Sequence, residues 1–229
     1  MEENKNLTAE RSLEIITEQI EQSRRTVSQS TGQALYVSGL CTVAMSGIVA
    51  IVNYVSKTPL GHLLWLVLPV IIWIALRNIF KNRQHEPTTI VSSLVGKTWW
   101  TFAFLTLGFF VLEILWNTIG GRLLSLTQMN FYGRGTATAP TIMLLMGMAV
   151  TMTGHILRSR WLVVFGIVGG LMMFAWEGFG IGRAILLELT GKSYPEIYQS
   201  IATLTCLSVL LFAFVGLVIP GMMLKKQSL

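Results

Sequence analysis

The chain has 229 residues, of which 52% are hydrophobic and only 12% charged, and its mean hydropathy is +0.61. Soluble domains carry roughly 25% charged residues, so this composition excludes an ordinary soluble domain, and the apolar excess excludes a disordered chain. Two cysteines are too few for a disulfide scaffold. Lys and Arg in the cytoplasmic loops of a membrane protein account for the net charge of +6, so no direct nucleic-acid binding is expected.

The first 31 residues are polar and are predicted to form a cytoplasmic amphipathic helix. Leu13, Ile16 and Ile20 recur at helical spacing between Thr8 and Val27, and they give this helix one apolar face. Two interpretations are open. The helix packs beneath the bundle against lipid headgroups, or its apolar face docks a cytoplasmic partner or a second copy of the chain.

Residues 32–229 are predicted to form an all-α, polytopic transmembrane domain, a bundle of six helices. A helix that crosses a hydrocarbon core of about 30 Å needs roughly 20 apolar residues, and six stretches have that length. The predicted spans are 32–55, 60–80, 98–119, 139–157, 161–181 and 201–221. Pro69 is expected to kink the second span, and Pro220 is expected to end the sixth.

The distribution of positive charge predicts the orientation. With these six spans, twelve of the 17 Lys and Arg residues fall on one side of the membrane and five on the other. Because Lys and Arg are enriched in cytoplasmic loops, both termini are predicted to lie in the cytoplasm.

Ionisable side chains inside the predicted spans suggest a site, since placing one there is costly. Glu113 and Glu177 lie near the outer ends of the third and fifth spans, with Asn117 on the face of Glu113 and His62 near the same level. The sequence allows two interpretations of these residues. The favoured one is that each Glu hydrogen-bonds a neighbouring helix, or reaches Arg122 or Arg183, and only orients the bundle. In the other, the four residues form an outward-facing pocket that binds a proton or a cation.

Small residues and hydroxyls predict helix contacts. Gly166 and Gly170 form a small-xxx-small pattern, as do Gly178 and Gly182, and such patterns allow helices to approach closely. Three polar residues share a broad face of the first span and are expected to hydrogen-bond to neighbouring helices. They are Thr42, Ser46 and Asn53.

Motifs of known chemistry are missing from the sequence. It contains no Walker-type phosphate loop, HExxH, GxSxG, paired CxxC or Rossmann glycine fingerprint. No catalytic residue and no cofactor are therefore predicted, and whether a metal is bound stays open. An intramembrane enzyme that uses His62 with the two glutamates is the least favoured class.

Three segments carry a resemblance to a known group of proteins: Ser12–Arg25, Met146–Gly170 and the terminal Val218–Lys226. Together they resemble a family of small six-helix integral membrane proteins of Bacteroides-like bacteria, which has no assigned activity. The resemblance implies a location in the bacterial cytoplasmic (inner) membrane. It implies nothing about Glu113 or Glu177, which lie outside the matching segments.

The sequence favours a regulatory or scaffolding membrane protein whose cytoplasmic helix docks a partner through Leu13, Ile16 and Ile20. The alternative is a small transporter, channel or proton-coupled carrier that uses the intramembrane carboxylates. Deleting the head should abolish partner binding under the first reading, whereas replacing the glutamates should abolish flux under the second.

Overall fold

The computed structural model describes residues 9–56, 59–81, 89–115, 138–191 and 194–227. Within these ranges the elements are helical and no strand is present. The α-helices are α1 (Ala9–Ser56), α2 (Leu68–Phe80), α3 (Ile90–Leu115), α4 (Thr138–Leu157), α5 (Arg160–Gly178), α6 (Ile181–Thr190), α7 (Tyr194–Ala213) and α8 (Ile219–Gln227). A 3₁₀ segment, Pro59–Leu66, precedes α2, and a π-helical segment, Phe214–Val218, joins α7 to α8.

Helix α1 contains both the predicted head and the predicted first span. Its 48 residues run without a break from Ala9 to Ser56. The two segments that were expected to be separate units therefore form one continuous helix. The same helix provides the central contact surface of the bundle, since α2, α7 and α8 all pack against it. Helix α3 packs mainly on α4, and α4 pairs with α5 as an antiparallel hairpin.

Six helices in the described ranges are long and apolar enough to cross a membrane, judged by length and composition. The core between them is apolar and includes Leu35, Leu162 and Leu217. The outer surface is apolar as well. Helix α2 has no buried residue, and on α3 the side chain of Leu105 is 53% exposed.

The two helix-breaking prolines act differently from each other. Pro69 was expected to kink a continuous second span, but it lies in the first turn of α2, directly after the 3₁₀ segment, where its missing N–H costs nothing. Pro220 was expected to end the last span, and that prediction is wrong, because α8 continues to Gln227. The wider π turn that ends at Val218 accommodates the ring, which would clash with the preceding turn of a regular α-helix.

Candidate functional site

Glu177 is buried near the end of α5, with 8% of its surface exposed. The Thr205 hydroxyl on α7 donates a hydrogen bond of 3.0 Å to Glu177 Oε2. This bond joins two helices across 28 residues of sequence. A carboxyl group in this position therefore ties α5 to α7.

Two more polar side chains lie beside this bond. Cys206 follows Thr205 on α7 and is 1% exposed, and Asn53 of α1 is 3% exposed. The Asn53 side chain and Glu177 both lie close enough to the Cys206 thiol to interact with it. Gly61 of the 3₁₀ segment presses against Asn53, and a Cβ at Gly61 would collide with Asn53 Oδ1. We call Asn53, Glu177, Thr205 and Cys206 the polar cluster.

Arg183 of α6 lies near the polar cluster and contacts the backbone. Its Nη2 donates to the Glu177 carbonyl oxygen at 3.4 Å, so the guanidinium satisfies a carbonyl at the end of α5, where a cation is favoured. An ion pair is present elsewhere in the described residues, in the head of α1, where Arg24 lies 3.2 Å from the Glu21 carboxylate. The sequence left open a contact between Arg183 and Glu177, and the structure places that contact at the carbonyl.

The other members of the predicted pocket cannot be located beside Glu177. The side chains of Glu113 and His62, and the whole of Asn117, lie outside the described residues. Whether Glu113 and Glu177 meet therefore stays a prediction. The predicted pocket did not include Asn53, Thr205 or Cys206. The sequence pointed only to Asn53, as part of the polar face of the first span.

The three polar residues predicted to link the first span to other helices are buried, but they bond differently. Thr42 is 4% exposed, yet its hydroxyl donates to the Ser38 carbonyl of its own helix at 2.8 Å. Ser46 is fully buried. Asn53 interacts with a side chain of another helix, the Cys206 thiol of α7.

Two of the predicted packing glycines lie where α4 and α5 cross. A Cβ at Gly166 would collide with Thr151 and lie 2.7 Å from the Gly147 carbonyl oxygen, and a Cβ at Gly170 would lie 3.1 Å from the Gly147 Cα. At Gly182 a Cβ would lie 2.8 Å from the Trp176 ring.

Gly178 has ordinary space instead, because its nearest neighbour would be the Pro140 Cβ at 3.7 Å. A second close crossing was not predicted. At Gly221 of α8 a Cβ would lie 2.6 Å from the Tyr36 nitrogen, and at Gly39 of α1 a Cβ would lie 2.8 Å from Val218. The seven-residue spacing of Gly32 and Gly39 was the available signal for this contact.

The head of α1 is exposed where a docking face was predicted. Leu13, Ile16 and Ile20 are 64%, 51% and 48% exposed, whereas Val27, on the same face, is 7% exposed and belongs to the core. All residues from 11 to 22 except Ser12 are exposed, so the packed bundle begins at about Val27.

Metal ligands are not clustered in the described part of the chain. No group of three or more His, Cys, Asp or Glu side chains there could hold a metal ion. No family model, no curated protein and no solved structure matches the chain. The resemblance to small bacterial membrane proteins therefore stays a prediction.

Proposed function

We propose that this chain is an integral protein of the bacterial cytoplasmic membrane with six spans and both termini in the cytoplasm. In this proposal the exposed head of α1 docks a cytoplasmic protein, in a regulatory or scaffolding role. The apolar outer surface of α2 and α3 supports the membrane placement, since soluble proteins rarely expose such large contiguous apolar areas. The resemblance to six-helix bacterial proteins supports the choice of membrane.

The length of α1 is the observation that carries the docking role. At about 1.5 Å per residue, its 48 residues extend about 72 Å, whereas a hydrocarbon core is about 30 Å thick. The 30 residues from Val27 to Ser56 account for the bundle, and the preceding turns project beyond it. An apolar stripe on a projecting helix is a common way to bind a partner.

The direction of the stripe favours a cytoplasmic partner over a second copy. At about 100° per residue, Leu13, Ile16, Ile20 and Val27 fall within about 60° of one another. Because Val27 faces the core, the stripe overhangs the cytoplasmic end of its own bundle. A second copy beside the first in the membrane would meet the opposite face of α1, so the stripe is better placed for a protein that approaches from the cytoplasm.

Site-specific photo-crosslinking in cells tests this role. A benzophenone amino acid is placed at Ile16, at Ile20, or at Glu18, which lies about 160° from Ile20 on the same helix and is the matched control. We expect crosslinks to a second protein from Ile16 and Ile20 and none from Glu18. Equal crosslinking at all three positions, or none at any, would contradict the docking role. A crosslinked dimer of the chain itself would indicate self-association instead.

Truncation gives an independent test if it stops before the core. Deleting residues 1–31 would remove Val27 and Thr31, which are both buried, and would damage the bundle. Deleting residues 1–22 removes the stripe and keeps the core. This shorter deletion should abolish the Ile16-dependent partner interaction while membrane insertion and the unfolding temperature stay unchanged.

The polar cluster supports a second candidate, a small transporter, channel or proton-coupled carrier. The observation in its favour is the burial of Glu177 between α5 and α7, where a carboxyl group is costly and often functional. In liposomes containing a pH-sensitive dye, Glu177→Gln should abolish proton flux if this function is correct, and the 1–22 deletion should leave the flux intact. Absence of flux from the wild-type protein would remove this candidate.

A further inference from the structure

The turn between α4 and α5 contains an unusual arginine. Arg158 has φ 56 and is the non-glycine residue with positive φ in the described ranges. Its N–H donates to the His155 carbonyl at 3.2 Å, and the next N–H, of Ser159, donates to the Gly154 carbonyl at 2.9 Å. This pair of bonds is the Schellman motif, whose left-handed position is usually glycine because a Cβ is disfavoured there.

Two other helix boundaries of this chain use glycine for the same backbone conformation. Gly180 has φ 65 between α5 and α6, and Gly191 has φ 60 after α6. At the α4–α5 turn the chain places a long cationic side chain in a conformation that costs backbone energy. Strain of this kind points to a use for the side chain, and the Arg158 side chain is exposed.

Further cations lie at the same end of the bundle as this turn, where Val95 of α3, Leu157 of α4 and Leu224 of α8 belong to one core cluster. Helices α4 and α5 meet there through Gly154, where a Cβ would lie 2.7 Å from the Val163 nitrogen. Helix α5 also packs on α8, whose last turns lie level with Gly32 of α1, since a Cβ at Gly32 would be 3.1 Å from the Lys225 nitrogen. We call the five exposed cations at this end the basic collar: Lys97, Arg158, Arg160, Lys225 and Lys226.

The four helices that carry the collar have no acidic residue at this end of the bundle. In the sequence of α3, α4, α5 and α8 the acidic residues are Glu113 and Glu177, and both lie toward the opposite ends of their helices. Tryptophans accompany the collar. Trp161 follows Arg160 and is 55% exposed, and Trp100 is 68% exposed three residues after Lys97. Tryptophan is enriched at the headgroup level of membrane proteins, which supports a position of these cations beside lipid phosphates.

We propose that the basic collar, which includes Arg158, binds the phosphate groups of anionic phospholipids in the cytoplasmic leaflet. Anionic lipid headgroups attract each Lys or Arg that lies near the membrane surface. An arginine guanidinium can also hold a phosphate group with two hydrogen bonds. This role goes beyond partner docking by the head. It rests on the membrane placement under the proposed function and not on the docking role.

Thermal unfolding of the full-length protein in a neutral detergent tests the proposal. Phosphatidylglycerol should raise the unfolding temperature by roughly 3–6 °C, whereas phosphatidylcholine and inorganic phosphate should leave it nearly unchanged. Equal effects of the two lipids would overturn the proposal. An effect of inorganic phosphate as large as that of phosphatidylglycerol would show a site for free phosphate and would overturn the assignment to lipid.

Variants of the turn separate charge from backbone strain. Arg158→Gly relieves the strain, so without lipid it should unfold at the same or a higher temperature than the wild type, yet it should lose at least half of the phosphatidylglycerol effect. Arg158→Gln and Arg158→Lys keep a side chain in the same conformation. The Lys variant should retain most of the lipid effect, and the Gln variant should lose it.

The control is Arg183→Gln, at the other end of the bundle, which should respond to lipid like the wild type. Equal lipid effects in Arg158→Gln, Arg158→Lys and Arg183→Gln would overturn the assignment to Arg158. Failure of the membrane placement would look different. The protein would then stay soluble and monodisperse without any detergent.

Discussion

The bond between Thr205 and Glu177 gives the polar cluster a measurable structural role. Thr205→Val keeps the shape of the side chain but removes the donor to a carboxyl group that is 8% exposed. We expect the free energy of unfolding to fall by about 1 kcal/mol, between the small average for hydrogen bonds in membranes and the cost of an unsatisfied buried acceptor. Unfolding by sodium dodecyl sulfate from mild detergent micelles measures the change.

Thr101→Val is the matched control for this prediction. Thr101 is exposed on α3, and its hydroxyl donates to the Lys97 carbonyl of the same helix at 2.9 Å. This variant should change stability by a few tenths of a kcal/mol at most. Equal losses for the two variants would mean that the Glu177 bond contributes nothing specific.

The crossing of α4 and α5 depends on the absence of a side chain at Gly166. A methyl group there would collide with Thr151 and approach the Gly147 carbonyl oxygen, which belongs to rigid backbone. Gly166→Ala should therefore lower stability by about 1–3 kcal/mol, the usual cost of overpacking. The same assay of unfolding in sodium dodecyl sulfate measures this loss.

Gly108→Ala on α3 serves as the control, because a Cβ at Gly108 meets nothing within 4 Å. Replacing this helical glycine by alanine should be neutral or stabilising by up to about 1 kcal/mol. If Gly166→Ala were as well tolerated as Gly108→Ala, the two helices would have to be farther apart than described.

These residues show how far sequence reasoning extends at this scale. Helical periodicity places Gly166 and Gly170 on one face and Glu177 inside a predicted span, because these facts depend only on local spacing. It cannot name Gly147 or Thr205 as their neighbours, because the pairing of helices is set by packing across the whole bundle. Of the polar cluster, the sequence therefore predicted only Glu177 as a site residue, because its neighbours depend on which helices pack together.

At the scale of elements, the long helix α1 has a directly testable length. Spin labels at positions 18 and 40, both exposed, are separated by 22 residues, so a continuous helix places their backbones about 33 Å apart. Double electron–electron resonance should give a single narrow distance distribution near that value. Gln29→Pro would kink the helix and should broaden or shorten the distribution. A broad distribution in the unsubstituted chain would instead indicate a hinge between head and bundle.

The sequence divided α1 into two units because its composition changes near residue 31, from a polar head to an apolar span. Hydrophobicity reports which solvent surrounds a segment, and it does not report whether the backbone hydrogen bonds continue across the change. The end of the last helix that was predicted at Pro220 is also absent from the structure. A proline predicts the end of a regular α-helix, but a π turn just before it lets the helix continue.

For the whole molecule, the apolar surface predicts different effects of the same substitution at two exposed positions. Leu105 lies on the outer face of α3 and is 53% exposed, and Leu13 lies in the head and is 64% exposed. In water both could become lysine at little cost. If α3 faces lipid, a lysine at position 105 should disfavour insertion by about 3 kcal/mol, whereas Leu13→Lys should insert normally and only weaken docking. A glycosylation-reporter insertion assay measures the difference. Equal insertion of the two variants would contradict a lipid-facing α3. It would also contradict the six-span placement on which the docking role depends.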